Sequence, residues 1–412
     1  MKILKIVLVS LAVLICAILL ISTINYNYYS PKKLSVTPDS EALAFYKETY
    51  DEARDLFRSN SGLLAQKLKG VEKAMFKVPS KEDNDLSVDL LYVPAQKAKK
   101  RLVIISSGTH GIEGYVGSAI QAMLMKEFMQ AQILDDTGFL FIHGLNPYGF
   151  KYIRRTTENN VDLNRNCSAT PELYQTKNTG YPAVTDLINP EGKVKTRSAG
   201  NIFFHLRSIK KIISASMPVL RQAVLQGQYE YPKGLYYGGS KPEPQIVSVS
   251  SFIVKYSAGY PLVMNIDLHT GYGKNGTAHL FPNPARNSEI SAMMEKVFAG
   301  YKIDWGDTAG FYTVTGDFTG YLAKIIRAKY LPMVFEYGTL DSQTTFGSIN
   351  SLHRTLLENQ GFNYGYASEA DRERVKKMFR EMYYPSSEAW RTKVIKDTRE
   401  IMNSALKNFK TL

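Results

Sequence analysis

The chain has 412 residues, of which 44% are hydrophobic and 22% are charged, a composition that fits one large globular α/β domain or two smaller ones. Its formal net charge of +13 favours acidic partners, but the basic residues are scattered. Because the sequence has no phosphate loop, zinc-finger spacing or RNA-binding signature, we predict no nucleic-acid partner, and two cysteines are too few for a disulfide framework.

The N-terminus carries an uncharged apolar run, residues 6–21, which Lys2 and Lys5 precede. A bilayer span needs about 17–25 residues, so the run is short for a span, yet it is long for a cleaved signal and lacks a small-x-small cleavage site. We predict that residues 1–33 are a membrane anchor, with a cleaved signal and secretion as the alternative. The two lysines favour a cytoplasmic N-terminus, which puts residues 34–412 on the periplasmic side or the cell surface.

Residues 34–412 contain no repeat and no long linker, so we predict one continuous domain. A helix is predicted over residues 40–69, where apolar residues recur on one face. Short apolar runs bounded by turn signals predict strands at residues 71–78, 86–93, 102–105, 138–142, 262–266 and 333–335. Helical stretches separate the later runs, so the predicted fold is α/β, with a mixed, largely parallel central sheet flanked by helices.

Three residues near the predicted strand ends have the spacing of a zinc site. His110 and Glu113 stand three residues apart after the strand at 102–105, and His269 follows the strand at 262–266. A catalytic zinc takes three protein ligands and leaves a fourth position for water. Ligands collect at the carboxyl ends of parallel strands, so we predict one zinc per chain bound by these three residues. A His-x-x-Glu pair alone is a weak signal, since it often only starts a helix.

The segment 146–166 is dense in arginine and amide side chains, which suits the binding of an oxyanion. Arginine holds a carboxylate through two parallel hydrogen bonds and can stabilise the charge of a tetrahedral intermediate. We interpret Arg155 as the oxyanion stabiliser and Asn164 and Arg165 as substrate anchors. Arg154 is predicted to be a surface or ion-pair residue, and Asp267 either orients a zinc ligand or caps a turn.

These motifs together resemble the zinc carboxypeptidase superfamily, which includes the aspartoacylase and succinylglutamate desuccinylase branch. The resemblance runs from Gly108 to Gly338 and is closest to a bacterial branch named as a domain of unknown function. It rests on His110-Gly-Ile-Glu113, His269, an Asn-Pro-x-Gly turn and Val-Asp-Leu-Asn-Arg-Asn within 146–166, and Val-Phe-Glu336-Tyr-Gly. The resemblance implies a zinc carboxypeptidase-like fold, from which this sequence departs by an insertion at about residues 168–245 that we expect to narrow the cleft or bind a partner.

The resemblance also implies roles for two further residues. Glu336 matches the general base of the family, and Tyr312 matches its mobile tyrosine, with Tyr321 as a competitor for that position. The implied function is that of a zinc metallopeptidase, a carboxypeptidase acting on peptides with a free carboxylate. The alternatives are an N-acyl amino acid deacylase and a degenerate, non-catalytic domain that binds carboxylates.

Overall fold

A mixed β-sheet forms the centre of the protein, whose computed structural model describes residues 2–282, 287–305 and 314–412. Within these residues the sheet has seven strands in the order β1-β2-β4-β3-β5-β7-β6. The four strands β4, β3, β5 and β7 run parallel, whereas β1, β2 and β6 are antiparallel to their neighbours. The strands are β1 Glu72–Lys77, β2 Ser87–Val93, β3 Arg101–Ser107, β4 Thr137–His143, β5 Leu262–Gly271, β6 Ala278–Phe281 and β7 Lys329–Gly338.

Helices cover the sheet and connect its parallel strands, which confirms the predicted α/β class. In chain order they are α1 Lys2–Tyr28, α2 Ser40–Leu43, α3 Tyr50–Lys67, α4 Gly114–Glu127, α5 Ala131–Leu134, α6 Pro147–Lys151, α7 Thr185–Ile188, α8 Ala199–Ile202, α9 Phe204–Ala215, α10 Met217–Leu225, α11 Pro244–Ser257, α12 Ser288–Val297, α13 Phe318–Ile325, α14 Thr345–Tyr364, α15 Glu369–Tyr383 and α16 Glu388–Phe409. Strands β3, β4 and β5 are buried along their whole length. Burial on both faces explains why these strands read as continuous apolar runs in the sequence.

The structure differs from the predicted elements at two places. The single helix predicted over residues 40–69 is two helices, because Thr49 and Glu52 form a capping box that starts α3 anew. Strand β6 was not predicted, since its four residues are too few to show a clear period and only half of them are fully buried.

A second apolar cluster lies outside the sheet, within the segment predicted as an insertion and against α14. Its buried members include Leu187 on α7, Phe204 on α9, Val224 on α10 and Leu357 on α14. The end of α1 also joins this cluster through Tyr26, whose side chain is 5% exposed. The cluster therefore ties the N-terminal helix to the body of the protein.

A buried ion cluster joins α14 and α15 to the loop that follows α6. Glu358 Oε1 lies 3.0 Å from Arg154 Nε and 2.9 Å from Lys376 Nζ. The Arg154 guanidinium also lies over the Phe362 ring, and it donates to Asn160 Oδ1 at 3.0 Å. The ion pair predicted for Arg154 is thus present. This pair fixes the backbone next to Arg155.

We expect Glu358→Gln to lower the free energy of unfolding by about 3 kcal/mol, because it leaves a buried arginine without its counter-charge. Burial opposes the charged form of Glu358, but Arg154 and Lys376 lower its pKa overall. A lowered pKa stabilises the fold above the unfolded-state pKa, so the difference from wild type should shrink as the pH falls through the folded-state pKa. Chemical unfolding of the full chain in detergent measures both effects.

The exposed carboxylate Glu369, paired with Arg372 on the surface, provides the matched control. Because water screens an exposed pair, Glu369→Gln should leave the unfolding transition almost unchanged. Equal effects of the two substitutions would contradict a structural role for the buried cluster.

Candidate metal centre

The candidate site lies at the carboxyl ends of the central parallel strands. From β3 the chain runs to β4 on one side, and from β4 it crosses back to β5 on the other side of β3, so the strand order reverses beside β3. Open α/β sheets bind ligands at such a switch point. Two register pairs locate the site: Ser106 of β3 faces Asp267 of β5, and His269 of β5 faces Glu336 of β7. The sheet therefore brings a histidine and a glutamate together from segments about 70 residues apart.

A short turn after β3 carries His110 and Glu113. Gly108 enters the turn with a φ of +69°, a conformation that glycine adopts without strain. Gly111 lies so close to the backbone of Gly149 that a Cβ atom at this position would clash with it. The amide of Gly111 donates to the Arg155 carbonyl at 3.1 Å. The turn with the two candidate ligands is therefore fixed directly to the arginine loop.

His110, Glu113 and His269 converge in a buried cluster whose donor atoms all lie within 4.8 Å of one another. The Glu113 carboxylate lies 3.0 Å from His110 Nδ1 and 2.8 Å from His269 Nδ1, and the two Nδ1 atoms are 3.2 Å apart. All three side chains are at least 95% buried. This arrangement brings together the three residues predicted as metal ligands.

The outer nitrogens of both imidazoles, the Nε2 atoms, face carboxylates, which favours one tautomer of each neutral ring. His269 Nε2 lies 2.7 Å from Asp267 Oδ2. His110 Nε2 lies 3.3 Å from Asp162 Oδ1 but forms no hydrogen bond with it. A carboxylate accepts a proton, so in the neutral ring Nε2 carries the hydrogen and Nδ1 keeps its lone pair. Two such lone pairs and the Glu113 carboxylate then point at one another, and this donor set fits a divalent metal.

The Asp267 carboxylate is itself held in place. It accepts from Ser106 Oγ at 2.7 Å and from Thr109 Oγ1 at 3.0 Å. The sequence left open whether Asp267 orients a zinc ligand or caps a turn. Its contact with His269 corresponds to the first of these roles. Burial opposes protonation of His269, but Asp267 and Glu113 raise its pKa well above the ordinary value.

Asp162 connects the candidate metal ligands to the candidate oxyanion arginine. Its Oδ2 atom accepts from Arg155 Nε at 2.9 Å, while Oδ1 faces His110. Burial opposes ionisation of Asp162, but the Arg155 and His110 side chains hold its pKa well below the usual value. Arg155 Nη1 lies 3.8 Å from Glu113 Oε1 and 3.5 Å from the Tyr383 hydroxyl. Arg155 is thus placed beside the three converging side chains.

Burial and charge separate the pKa values of the two glutamates at the site. Burial raises the pKa of Glu113, yet the facing histidines outweigh burial and lower it to about 2. Burial and then the Glu113 charge raise the pKa of Glu336 to about 8. The Tyr272 amide donates to Glu336 Oε1 at 2.9 Å and fixes the side chain. A carboxylate with a pKa in this range suits general acid–base chemistry near neutral pH.

Asn164 and Arg165 line the same cavity, but both already have partners within the chain. Asn164 Oδ1 accepts from the Phe318 amide at 2.9 Å. The Arg165 guanidinium donates to the Leu225 carbonyl at 3.1 and 2.6 Å and to the Asn164 carbonyl at 2.7 Å. The last residue of α10 therefore sits against the arginine that was predicted to hold a carboxylate.

Of the two candidate mobile tyrosines, Tyr312 lies outside the residues that the structure describes. The Tyr321 hydroxyl lies 2.9 Å from Ser250 Oγ, and Tyr321 does not line the cavity. Sequence reasoning assigned no role to Asp162 or Tyr383, although both touch Arg155. The position of Asp162 two residues before Asn164 was a usable signal, whereas nothing in the sequence connects Tyr383 to the site.

The site opens into a cavity of about 460 Å³. Its polar end contains the three converging side chains, Arg155 and Glu336. Its other walls are largely apolar and include residues from α7, α9, α10 and α14. A concave apolar cavity with a few converging polar groups is the usual form of a small-molecule site.

Comparison with solved structures returns proteins that this chain resembles at low sequence identity. Bovine thrombin-activatable fibrinolysis inhibitor, in complex with tick carboxypeptidase inhibitor, is 15% identical over 77% of this chain and 96% of its own, with a TM-score of 0.42. A metallo-carboxypeptidase from Pseudomonas aeruginosa is 13% identical over 74% of this chain and 68% of its own, with a TM-score of 0.35. The succinylglutamate desuccinylase from Chromobacterium violaceum is 11% identical over 74% of this chain and 72% of its own, also with a TM-score of 0.35.

No curated protein matches the chain. A family profile matches residues 46–397, a span that contains every candidate site residue named above. Because this match covers most of the sequence, the chain belongs to the family DUF2817, which is described as a protein of unknown function.

Proposed function

We propose that this protein is a zinc-dependent hydrolase that cleaves an amide bond next to a carboxylate. The convergence of His110 Nδ1, His269 Nδ1 and the Glu113 carboxylate carries the proposal, because such a donor set is typical of catalytic zinc. Glu336 and Arg155 line the same cavity and supply a proton carrier and a cation. A non-catalytic carboxylate-binding domain would not need Glu336 at this position.

Zinc bound to the three ligands would act as a Lewis acid and lower the pKa of a water molecule. Glu336 takes the proton of the attacking water and later passes it to the leaving amine. Arg155, held by Asp162, donates to the oxygen on which negative charge develops. Asp267 keeps the His269 ring in the orientation that exposes Nδ1 to the site. Tyr312 is proposed as an additional donor.

For the substrate, we propose a peptide with a free carboxyl terminus, so that the enzyme is a metallocarboxypeptidase, or alternatively an N-acyl amino acid. Asn164 and Arg165 would anchor the carboxylate in both cases. A carboxylate at Arg165 must share the guanidinium with the Leu225 carbonyl or replace it. A charge-assisted bond to a carboxylate is about twice as strong as one to a neutral carbonyl, which favours the exchange.

We also propose that α1 remains attached as a membrane anchor. At about 1.5 Å per residue its 27 residues extend about 40 Å, more than the hydrocarbon thickness of a bilayer. The hydroxyl of Tyr26 donates to the Thr196 carbonyl and that of Ser22 to the Ile202 carbonyl, both at 2.8 Å. A cleaved signal would lose these buried contacts. The catalytic domain would then lie outside the cytoplasm, beside the membrane.

The metal site predicts that the full chain, purified in detergent, holds about one zinc ion, measured by elemental mass spectrometry. His110→Ala and His269→Ala should each lose it, since two remaining protein ligands bind zinc weakly. Glu336→Ala should retain it. His279→Ala is the matched control, because this histidine does not belong to the converging cluster. A zinc content indifferent to His269 would overturn the proposed metal site.

The proposed chemistry predicts that Glu336→Gln abolishes hydrolysis while zinc stays bound, with a loss of kcat of about 10²-fold or more. Arg155→Lys should lower kcat by about 10²-fold, because lysine cannot pair with Asp162 and the oxyanion in the same geometry. A size series from N-acetyl amino acids to tetrapeptides separates the two substrate classes. A peptidase should tolerate residues added upstream of the scissile bond, whereas a deacylase should lose activity.

Glu369→Gln, a change of a surface carboxylate, serves as the control and should keep wild-type kcat. Full activity of Glu336→Gln at unchanged zinc content would refute the assigned role of Glu336.

The anchor proposal predicts that intact protein recovered from the membrane fraction begins at residue 1, as determined by mass spectrometry. Removal of residues 1–28 should also lower the thermal stability, because Tyr26 then no longer fills its buried position. A mature protein that begins after residue 28, found in the soluble fraction, would establish a cleaved signal instead.

A further inference from the structure

An aliphatic chamber adjoins the candidate metal centre within the same cavity. We give this name to the wall formed by Leu187 and Ile188 of α7, Leu220 and Val224 of α10, and Ile349 and Leu352 of α14. None of the six carries a polar side-chain atom. The chamber therefore offers a long hydrocarbon surface next to the amide-cleaving groups.

The secondary structure of this wall argues against a peptide as its occupant. An extended peptide gains specificity by pairing its backbone with free N–H and C=O groups, usually at a strand edge. Here the wall consists of helices, whose backbone groups are largely bonded within each helix. A hydrocarbon chain needs no such partners, so it matches the chamber better than a peptide backbone does.

The chamber is attached directly to the catalytic end of the cavity. Arg165, which lines the cavity, holds the carbonyl of Leu225 at the end of α10. Leu220 and Val224 belong to the same helix, so this contact fixes their distance from the candidate ligands. The chamber and the candidate metal ligands thus line one continuous cavity.

Two serine hydroxyls outside the chamber line the same cavity. Ser208 Oγ on α9 and Ser351 Oγ on α14 are buried atoms without a hydrogen-bond partner among the described residues. Both residues line the cavity, and Ser208 is 4% exposed. Buried hydroxyls are normally paired; a hydrocarbon chain has no acceptor atom, so only the amide or carboxylate oxygens of a substrate would satisfy them.

We propose that the chamber binds the acyl chain of a long-chain N-acyl amino acid, which makes this class the substrate of the enzyme. The inference rests on the proposed function, since it uses the same metal centre. In the reaction the amide C–N bond breaks, the oxygen of water bonds to the acyl carbon, and the nitrogen takes a proton. The products are a fatty acid and a free amino acid.

The test compares kcat/KM for N-acetyl-, N-hexanoyl- and N-dodecanoylalanine, with the full chain reconstituted in lipid nanodiscs. Each fully buried methylene favours binding about fourfold, so burial of only two of the added methylenes makes the dodecanoyl compound exceed the acetyl compound by about tenfold or more. Leu220→Trp should remove most of this preference by filling the chamber. Val219→Trp is the matched control, because Val219 is 58% exposed on the same helix and does not line the cavity.

A second chamber variant, Leu352→Trp on α14, keeps the test valid if Leu220→Trp fails to fold. Equal kcat/KM for all three compounds in wild type, or equal losses in Leu220→Trp and Val219→Trp, would overturn the chamber proposal and leave the amide hydrolase intact.

A binding measurement separates this proposal from the proposed function. Equilibrium binding of N-dodecanoylalanine is measured for Glu336→Gln, with empty nanodiscs to correct for partition into lipid. Suppose that no compound is hydrolysed, so that the hydrolase proposal fails. The chamber would still be supported if N-dodecanoylalanine binds and if Leu220→Trp weakens this binding while Val219→Trp preserves it. Absence of such binding would overturn the chamber.

Discussion

The site depends on two buried carboxylates, Asp162 and Asp267, that face the outer nitrogens of His110 and His269. Each carboxylate favours the ring tautomer whose lone pair points inward, and these lone pairs meet the charge of Glu113. Donor atoms so close together share a cation, either a proton, as the raised pKa of His269 indicates, or a metal ion. The two aspartates therefore orient the histidines of the candidate metal site, and Asp162 also connects this network to Arg155.

The sheet positions the candidate site residues, and helices form most of the cavity around them. Parallel strands β3, β5 and β7 end at one edge, so residues near their carboxyl ends converge with little adjustment. The walls that enclose the cavity come instead from α7, α9, α10 and α14, outside the sheet. The contact between Arg165 and Leu225 joins these two parts. The candidate catalytic groups and the apolar walls of the cavity thus come from different regions of the chain.

The sequence predicted the parts of the fold that follow from local patterns. Buried strands such as β4 are short apolar runs, and their burial on both faces makes them conspicuous. The break between α2 and α3 was missed because the capping box of Thr49 and Glu52 lies within an otherwise helical pattern. Strand β6 was missed because an edge strand of four residues is stabilised by its neighbour β7 rather than by its own periodicity.

The sequence by itself determined the candidate metal ligands, since His110, Glu113 and His269 are ligand types at the ends of recognisable strands. Only the tertiary structure decided how these residues are held and what surrounds them. Asp162 acts on His110 across 52 positions of sequence, and Leu225 meets Arg165 across 60. Contacts between residues so far apart in the sequence produce no recognisable sequence pattern. Such contacts arise from the packing of helices against the sheet, which depends on the whole chain.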